Sequence, residues 1–472
     1  MTIDTIINEA IQEFKLNLTR FCGNKAEMAL TIESAHEITQ AIQQTLAATG
    51  RKALQVYLES KEKQLDIVMV EGERFRFKYD SEKRFHTLWG PMTLRRRLYQ
   101  NSSDSKTFVP LDCAWGMEGH LMTIEAREAV AFSCAYATPE ETHELLKKSA
   151  LFHPHPTQIK RCLKDIAAQM ANEQTAVDAR IRNHENAPEQ ARVLVASMDG
   201  VNVLLNEPTQ ENAKRGRSKE RPATGDSQAA STCYRNAMVG TISFYGDVPE
   251  GQKTPQRLAC RYTSHMPEQN ALTFKKKFEA ELADAMRQVP PDIIKIFLCD
   301  GARALWKYAE NCKHFDDYEK LIDYFHTLEH LSLAAQALFG KGSSKAQAWY
   351  HKHRKKLLEE DSGARNVLRS MEYYEKKGRL SKNRADALAA QHTFFRRNQG
   401  RMTYADFRRR GLPIGSGPVE AACKTIVKTR LCRSGMRWSR KGGQRILDLR
   451  TYAKSNRWDA FWSEYKGLLN AA

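Results

Sequence analysis

The chain has 472 residues, which is too long for one compact core and predicts about two to four domains. Its formal net charge of +18 favours a polyanionic partner, although many soluble proteins are basic and charge alone decides nothing. The ten cysteines form no Cys-x-x-Cys pair, which indicates reduced thiols and argues against a disulfide framework or a zinc site. The chain shows neither a signal-peptide pattern nor a membrane-length apolar run, so we expect a cytoplasmic protein.

The first part of the chain changes its pattern near residue 65. Residues 1–65 predict a helical region, because apolar residues such as Ile38, Ile42 and Leu46 recur at three-to-four spacing. Residues 66–122 alternate between polar and apolar side chains, as in Arg74-Phe75-Arg76-Phe77. This alternation predicts a small β-containing module with a turn at Gly90-Pro91.

Helical periodicity returns over residues 123–185. One helix is predicted to begin at Pro139 with Thr138 as its N-cap, and a second to begin at Pro156. Two short helices around a tight break form a candidate helix-turn-helix, in which Lys160 and Arg161 would contact DNA. Two ordinary packed helices explain the pattern about as well.

The region from residue 186 onward predicts an α/β domain. Its predicted elements follow the order β-β-β-α-β-α-β, which describes a mixed sheet with an antiparallel edge and a parallel part. Their approximate ranges are a strand from Val193, strands over Asn236–Tyr245 and Arg257–Thr263, a helix over Asn270–Met286, a strand from Ile293, a helix over Arg303–Asn311 and a strand over Leu321–Phe325. The polar stretch Pro208–Thr232 predicts a long, mobile hairpin loop.

A charged, wholly helical stretch over residues 338–410 follows this domain. The simplest explanation is a helical insertion that splits the α/β domain into residues 186–337 and 411–457. Without this return to the sheet, a helix that begins near Glu420 would have no sheet to cover. Residues 458–472 are predicted to be a C-terminal tail.

Three acidic residues occur where a buried element is predicted to meet a turn. Asp199 and Asp300 each follow an apolar run and precede a glycine, and Glu420 lies at a helix start. An ionised carboxylate beside apolar residues is costly unless something pairs with it, and a divalent cation could pair with all three. Oxygen ligands suit two Mg²⁺ or Mn²⁺ ions, which support phosphoryl transfer. Each acid alone could equally be a cap, a turn residue or an ion-pair partner.

Glu420 also has a structural explanation, because an acid in the first helical turn is favoured by the helix dipole. Lys424 and Lys428 follow it at four-residue spacing, which is typical of stabilising Glu-to-Lys pairs. The cations continue beyond this helix with almost no acids between them, a composition that favours contacts to DNA phosphates over a solvated charged face. The candidate DNA-binding residues of this segment are Lys424, Lys428, Arg430, Arg433, Arg437 and Trp438.

These motifs together resemble the ISKra-type insertion-sequence transposases. The resemblance rests on Met198-Asp199-Gly200, on Leu298-Cys299-Asp300-Gly301-Ala302, on the run Asp323–His330, on Pro413–Lys424 and on Lys428–Ser439. It covers roughly residues 193–450. It implies an RNase H-like catalytic domain in which Asp199, Asp300 and Glu420 are the catalytic metal-binding triad, with Asp323 and His326 in support and a helical insertion before Pro413.

The resemblance implies a bacterial, nucleoid-associated DDE transposase that acts on terminal inverted repeats and target DNA as a homodimer or larger oligomer. Leu88–Arg97 resembles the family more loosely. Relatives often carry a zinc ribbon there, but Tyr99–Ser105 contains no cysteine pair, so we expect no structural zinc. Two other functions stay open, a transposase-derived protein that only binds DNA and another nuclease of the same fold.

Overall fold

The computed structural model describes residues 30–149, 152–207, 232–377 and 380–471, with scattered positions between residues 8 and 23. It divides the chain into two compact units, Met1–Val177 with Trp458–Ala472, and Asp178–Arg457. The loop predicted over Pro208–Thr232 lies outside the described residues except for its last position. The finer domain bounds given above stay predictions. No described helix is long and apolar enough to cross a membrane.

The first unit combines helices with a small antiparallel sheet. Its strands are β1 (Ile67–Val70), β2 (Glu73–Thr87), β3 (Gly90–Asn101) and β4 (Thr107–Phe108), in the order β1-β2-β3-β4. Its helices are α1 (Ile32–Ser60), α2 (Pro110–Ala114), α3 (Ile124–Tyr136), α4 (Pro139–Ser149) and α5 (Pro156–Met170). Next in the chain comes α6 (Gln174–Asn183), and the C-terminal Trp458–Ala471, expected to be a tail, forms a helix of this unit.

The turn between β2 and β3 differs from its prediction. Thr87 pairs with Gly90, so Leu88 and Trp89 form the turn, and Pro91 lies within β3 opposite His86. Proline is tolerated there because β4 pairs only with Tyr99 and Gln100 and leaves the start of β3 as an edge. The helices that begin at Pro139 and Pro156 are confirmed, and Thr138 caps the first by accepting a hydrogen bond from the Glu141 amide at 3.1 Å.

The second unit is a mixed α/β structure built on a five-stranded sheet. The strands are β5 (Val193–Asn206), β6 (Thr232–Tyr245), β7 (Arg257–His265), β8 (Ile294–Cys299) and β9 (Glu319–Ile322), in the order β7-β6-β5-β8-β9. β5, β6 and β7 are antiparallel, whereas β8 is parallel to both β5 and β9. The predicted order of elements and the mixed character of the sheet are confirmed.

Helices α7 (Leu272–Arg287) and α8 (Arg303–Asn311) connect the strands, and the second of these has the bounds predicted for it. The strand predicted over Leu321–Phe325 is shifted toward the N-terminus. It ends at Ile322 because Asp323 caps the next helix, α9 (Tyr324–Phe339), by accepting a hydrogen bond from the His326 amide at 2.6 Å.

The chain from residue 340 onward is helical up to the Glu420 segment. The helices are α10 (Ser344–Glu359), α11 (Gly363–Lys376), α12 (Lys382–Asn398) and α13 (Tyr404–Arg409), and their apolar faces share one buried core with the sheet. The Glu420 segment consists of α14 (Gly417–Ala422), a π-helical turn at Cys423–Lys428 and the short α15 (Thr429–Leu431). The last helix of the unit is α16 (Arg440–Lys454).

Candidate active site

Asp199 and Asp300 lie level with each other across two parallel strands. Ala196 of β5 pairs with Phe297 of β8, and each acid lies three residues beyond its member of that pair. Because the strands are parallel, equal offsets from a paired position bring both carboxylates to the same level of the sheet, just past the end of β8. β5 continues beyond Asp199 to Asn206, so the prediction that Asp199 meets a turn is wrong. The buried runs Val193–Ala196 and Ile296–Cys299 fix this register in the sheet centre.

The two aspartates differ in their surroundings. Asp199 accepts hydrogen bonds from the Gly200 amide at 2.6 Å and from the Cys423 thiol at 3.4 Å. Burial, followed by the nearby charge of Asp300, raises the pKa of Asp199, while Lys428 acts in the opposite direction. Asp300 accepts a hydrogen bond from the Ala302 amide at 2.9 Å. Asp199 is therefore a carboxylate whose negative charge the protein alone does not fully compensate.

Glu420 is held near the two aspartates by hydrogen bonds that join its helix to the start of α9. The buried Asp323 carboxylate accepts hydrogen bonds from the backbone amides of His326 and Ser416, and the Ser416 hydroxyl donates to Glu420 Oε1 at 3.0 Å. The Tyr324 amide donates to the Ile414 carbonyl at 3.0 Å and holds the same two segments together. Asp323 thus positions the helix that carries Glu420.

Asp199, Asp300 and Glu420 line one cleft of about 230 Å³, which we call the acidic cleft. It is lined by Met198, Asp199, Asp300, Phe325, His326, Glu329, Ser416, Val419 and Glu420. The three acids that the sequence singles out are thus brought together although they are remote in the chain. His326 lies on the wall of this cleft, with its Nδ1 at 3.5 Å from Glu329 Oε2.

The donor set of the acidic cleft suits a divalent cation. Within the described residues, no group of three or more His, Cys, Asp or Glu side chains is arranged to hold a metal ion by itself. Mg²⁺, however, usually binds through one or two carboxylates together with waters and substrate phosphates. Asp199 and Asp300 offer that number of carboxylates, and a cation would offset the burial and the Asp300 charge that raise the pKa of Asp199.

The basic segment after Glu420 divides into exposed and buried cations. Lys424, Lys428, Arg433 and Arg437 are exposed. Arg430 is only 1% exposed, and its guanidinium lies 5.3 Å from the centre of the Trp438 ring. A buried guanidinium cannot contact DNA phosphates, so the structure removes Arg430 from the predicted DNA-binding surface.

Trp438 is likewise engaged within the fold. Its indole donates to the Leu431 carbonyl at 2.9 Å, and its backbone pairs with the end of β5 at Leu204 and Asn206. The π-helical turn also changes the expected spacing of Glu420 and Lys424, and no ion pair joins them in the described part of the chain. The exposed cations of the proposed DNA surface are Lys424, Lys428, Arg433 and Arg437, and DNA binding by the half-buried Trp438 stays a prediction.

The two cations of the candidate helix-turn-helix are exposed and lie beside acids of their own unit. Lys160 Nζ is 2.6 Å from Glu140 Oε1, and Arg161 Nε is 3.8 Å from Asp165 Oδ2. Exposed pairs of this kind are weak and can exchange for phosphate contacts. DNA binding by Lys160 and Arg161 therefore stays a prediction.

Sequence reasoning missed the roles of Ser416 and Cys423 at this site. Ser416 precedes Glu420 by four residues and Cys423 follows it by three, so helical spacing places both near the acid. That spacing was the sequence signal that could have identified Ser416 and Cys423 as neighbours of Glu420. The contact between Cys423 and Asp199 depends on the packing of the π-helical turn against β5, which no local pattern encodes.

Comparison with known proteins gives little further information. No protein-family model and no curated protein matches the chain. Among solved structures, the chain is similar to a Drosophila P element transposase strand transfer complex, with 11% sequence identity and a TM-score of 0.23. That match covers 72% of this chain and 80% of the other. The functional assignment below therefore rests on the geometry of the site.

Proposed function

We propose that this chain is a DNA transposase of the DDE type, with an RNase H-like catalytic domain in Asp178–Arg457. The observation that carries the proposal is the convergence of Asp199, Asp300 and Glu420 on the acidic cleft. Support for the fold comes from the order β7-β6-β5-β8-β9, in which an antiparallel hairpin edge continues into parallel strands. The carboxyl ends of parallel strands are where ligands usually bind in such sheets.

Asp199 and Asp300 would hold Mg²⁺ or Mn²⁺, and Glu420 would complete the site. Two such ions, when bound, supply stabilisation of the attacking and leaving oxygens in an in-line phosphoryl displacement. The protein's own contribution is placement. The strand register fixes Asp199 and Asp300, while the Asp323–Ser416 connection fixes Glu420. Cleavage at each end would free a 3′-hydroxyl, which would then attack the target DNA.

The exposed cations Lys424, Lys428, Arg433 and Arg437 would hold the DNA backbone beside this cleft. The charge of Lys428 partly offsets the rise in the pKa of Asp199, which connects the basic surface to the acids electrostatically. The partners in this proposal are the terminal inverted repeats of an element and a target duplex, bound by a homodimer or larger assembly. Each phosphate contact should add to the salt dependence of binding.

The experiment is cleavage by the purified full chain of duplexes taken from the inverted repeats that flank its own gene. We expect nicking at the repeat end in Mg²⁺ or Mn²⁺, none in EDTA, and preference over both an RNA–DNA hybrid and a four-way junction. Binding without metal-dependent nicking would instead favour a protein that only binds DNA. Preference for the hybrid or the junction would favour another nuclease.

A further inference from the structure

A second cleft, of about 520 Å³, opens beside the acidic cleft in the same unit, and His326 lines both. Its walls come from the start of α8, from α9 and from α12. We call it the arginine cleft, because Arg303 and Arg397 lie on its rim. A volume of this size suits a small ligand such as one nucleotide.

The floor of the arginine cleft is built from packed rings. The Phe394 ring stacks on His330 with their centres 3.5 Å apart, and His330 Nδ1 lies 2.6 Å from Gln391 Oε1. A Cβ atom on Gly301 would lie 2.6 Å from Phe394 Cε2, so only glycine permits this approach. The glycine after Asp300 therefore allows α12 of the helical insertion to border the site.

The charges of this cleft are opposite to those of its neighbour. Neither Arg303 nor Arg397 forms an ion pair with a described carboxylate, and the Arg397 guanidinium donates to the Gly301 carbonyl at 3.0 Å. Partial burial, and then the like charges of Arg303 and Arg401, lower the pKa of Arg397. Arg401 differs, because it pairs with Glu310 and lies over Trp306. Two concentrated, uncompensated guanidiniums favour an anion.

We propose that the arginine cleft binds a backbone phosphate of the DNA strand, next to the phosphodiester held at the acidic cleft. Guanidinium groups recognise phosphate oxygens with paired, directional hydrogen bonds. His326 lines both clefts, so the two sites adjoin, as neighbouring phosphates of one strand require. The strand's identity rests on the proposed function, whereas the phosphate chemistry does not. This inference gives the helical insertion a direct role in holding substrate.

The same chemistry could be supplied by a free nucleotide or by inorganic phosphate, so the experiment has separate arms. In the first arm, duplex affinity is measured in EDTA across a salt series for the full-length wild type, R303A/R397A and the control R396A. Arg396 is exposed on the same helix and lies outside the cleft lining. In the second arm, AMP and inorganic phosphate compete with the duplex.

We expect the slope of log affinity against log salt to become shallower by about one for R303A/R397A, with no change for R396A. R303K/R397K, which keeps both charges, should restore most of the slope, and thermal melting checks folding. Equal slopes for R303A/R397A and R396A would overturn the proposal. Tight AMP binding lost in R303A/R397A with an unchanged duplex slope would also overturn it, in favour of a free nucleotide.

The proposed cleavage activity can fail independently of this inference. The slope is measured without any cleavage, so a wild type that never nicks DNA but shows the expected change keeps the phosphate subsite and loses the transposase assignment. If the wild type cleaves DNA but R303A/R397A leaves the slope unchanged, the transposase assignment is kept and the phosphate subsite is lost.

Discussion

The carboxylate of Asp323 accepts a hydrogen bond from the backbone amide of Ser416, which ties the start of α9 to the helix that carries Glu420. Asp323 is fully buried, so each lost hydrogen bond would leave a polar group unsatisfied. D323A should lower the free energy of unfolding by about 1–3 kcal/mol and slow DNA cleavage, because Glu420 loses its support. Chemical denaturation and single-turnover cleavage measure the two effects.

S416A is the matched comparison for D323A. It keeps the backbone amide that Asp323 accepts from and removes only the hydroxyl that donates to Glu420. We expect slower cleavage with a much smaller loss of stability. Wild-type stability and cleavage in D323A would contradict a positioning role for this residue.

Asp199 should make the protein less stable at neutral pH when no divalent cation is bound. Its folded-state pKa is raised by burial and by Asp300, so the folded protein binds this proton more tightly than the unfolded chain does. Stability should therefore fall as the pH rises from the ordinary aspartate pKa of 3.8 through the raised value. In EDTA at pH 7, D199N should therefore be more stable than the wild type.

Adding Mn²⁺ should reverse that order, because a ligand that binds only the folded state raises its stability. The melting temperature of the wild type should rise, whereas those of D199N and D300N should not. D386N changes an exposed acid of α12 in the same way and should behave like the wild type. An equal response of D199N to Mn²⁺ would argue against a cation at this residue.

Gly415 and Gly417 flank Ser416 and should differ in their tolerance of alanine. A Cβ atom on Gly415 would lie 2.8 Å from Phe325 Cε2, whereas one on Gly417 would meet nothing within 4 Å. G415A should displace the exposed Phe325 ring, which lines the acidic cleft, with slower cleavage and a loss of at most about 3 kcal/mol. G417A should be nearly neutral, and thermal melting compares the two. Equal tolerance at both positions would contradict this packing.

Arg430 and Arg437 should separate a structural cation from a DNA-binding one. R430A removes a buried side chain and should destabilise the protein by about 2 kcal/mol or more. R437A removes an exposed cation and should leave stability within about 0.5 kcal/mol while weakening DNA binding and its salt dependence. The two measurements are urea denaturation and a salt series of duplex affinities. An unchanged affinity in R437A would remove this residue from the proposed surface.

The sequence indicated the sheet and its acids because their signals are local. The apolar run before Asp300-Gly301 ends a strand as predicted, whereas Asp199-Gly200 lies within β5, and the helix over Arg303–Asn311 is confirmed at its predicted bounds. The connection through α7 then makes β8 parallel to β5, which places the two aspartates level with each other. The convergence of the acids was therefore foreseeable from patterns within about ten residues of each.

Contacts between distant segments had no local signal. Arg430 looks like its basic neighbours in sequence, and its burial depends on Trp438, whose backbone pairs with the end of β5. Phe394 and Arg397 lie in an amphipathic helix, and only tertiary packing brings them beside Gly301. Gly90-Pro91 was predicted as the turn, but Pro91 lies within β3. Proline fits there because β4 pairs only with the far end of β3, which the local sequence does not reveal.

Single-turnover cleavage in Mg²⁺ by D199N, D300N and E420Q, with D386N as the control, tests the central claim most directly. We predict that the first three lose about 1000-fold in rate, or about 4 kcal/mol of transition-state stabilisation, while their DNA affinity in EDTA stays close to that of the wild type. D386N should cleave normally. Cleavage by D199N or D300N at the D386N rate would contradict the assignment of the acidic cleft as the metal-dependent active site.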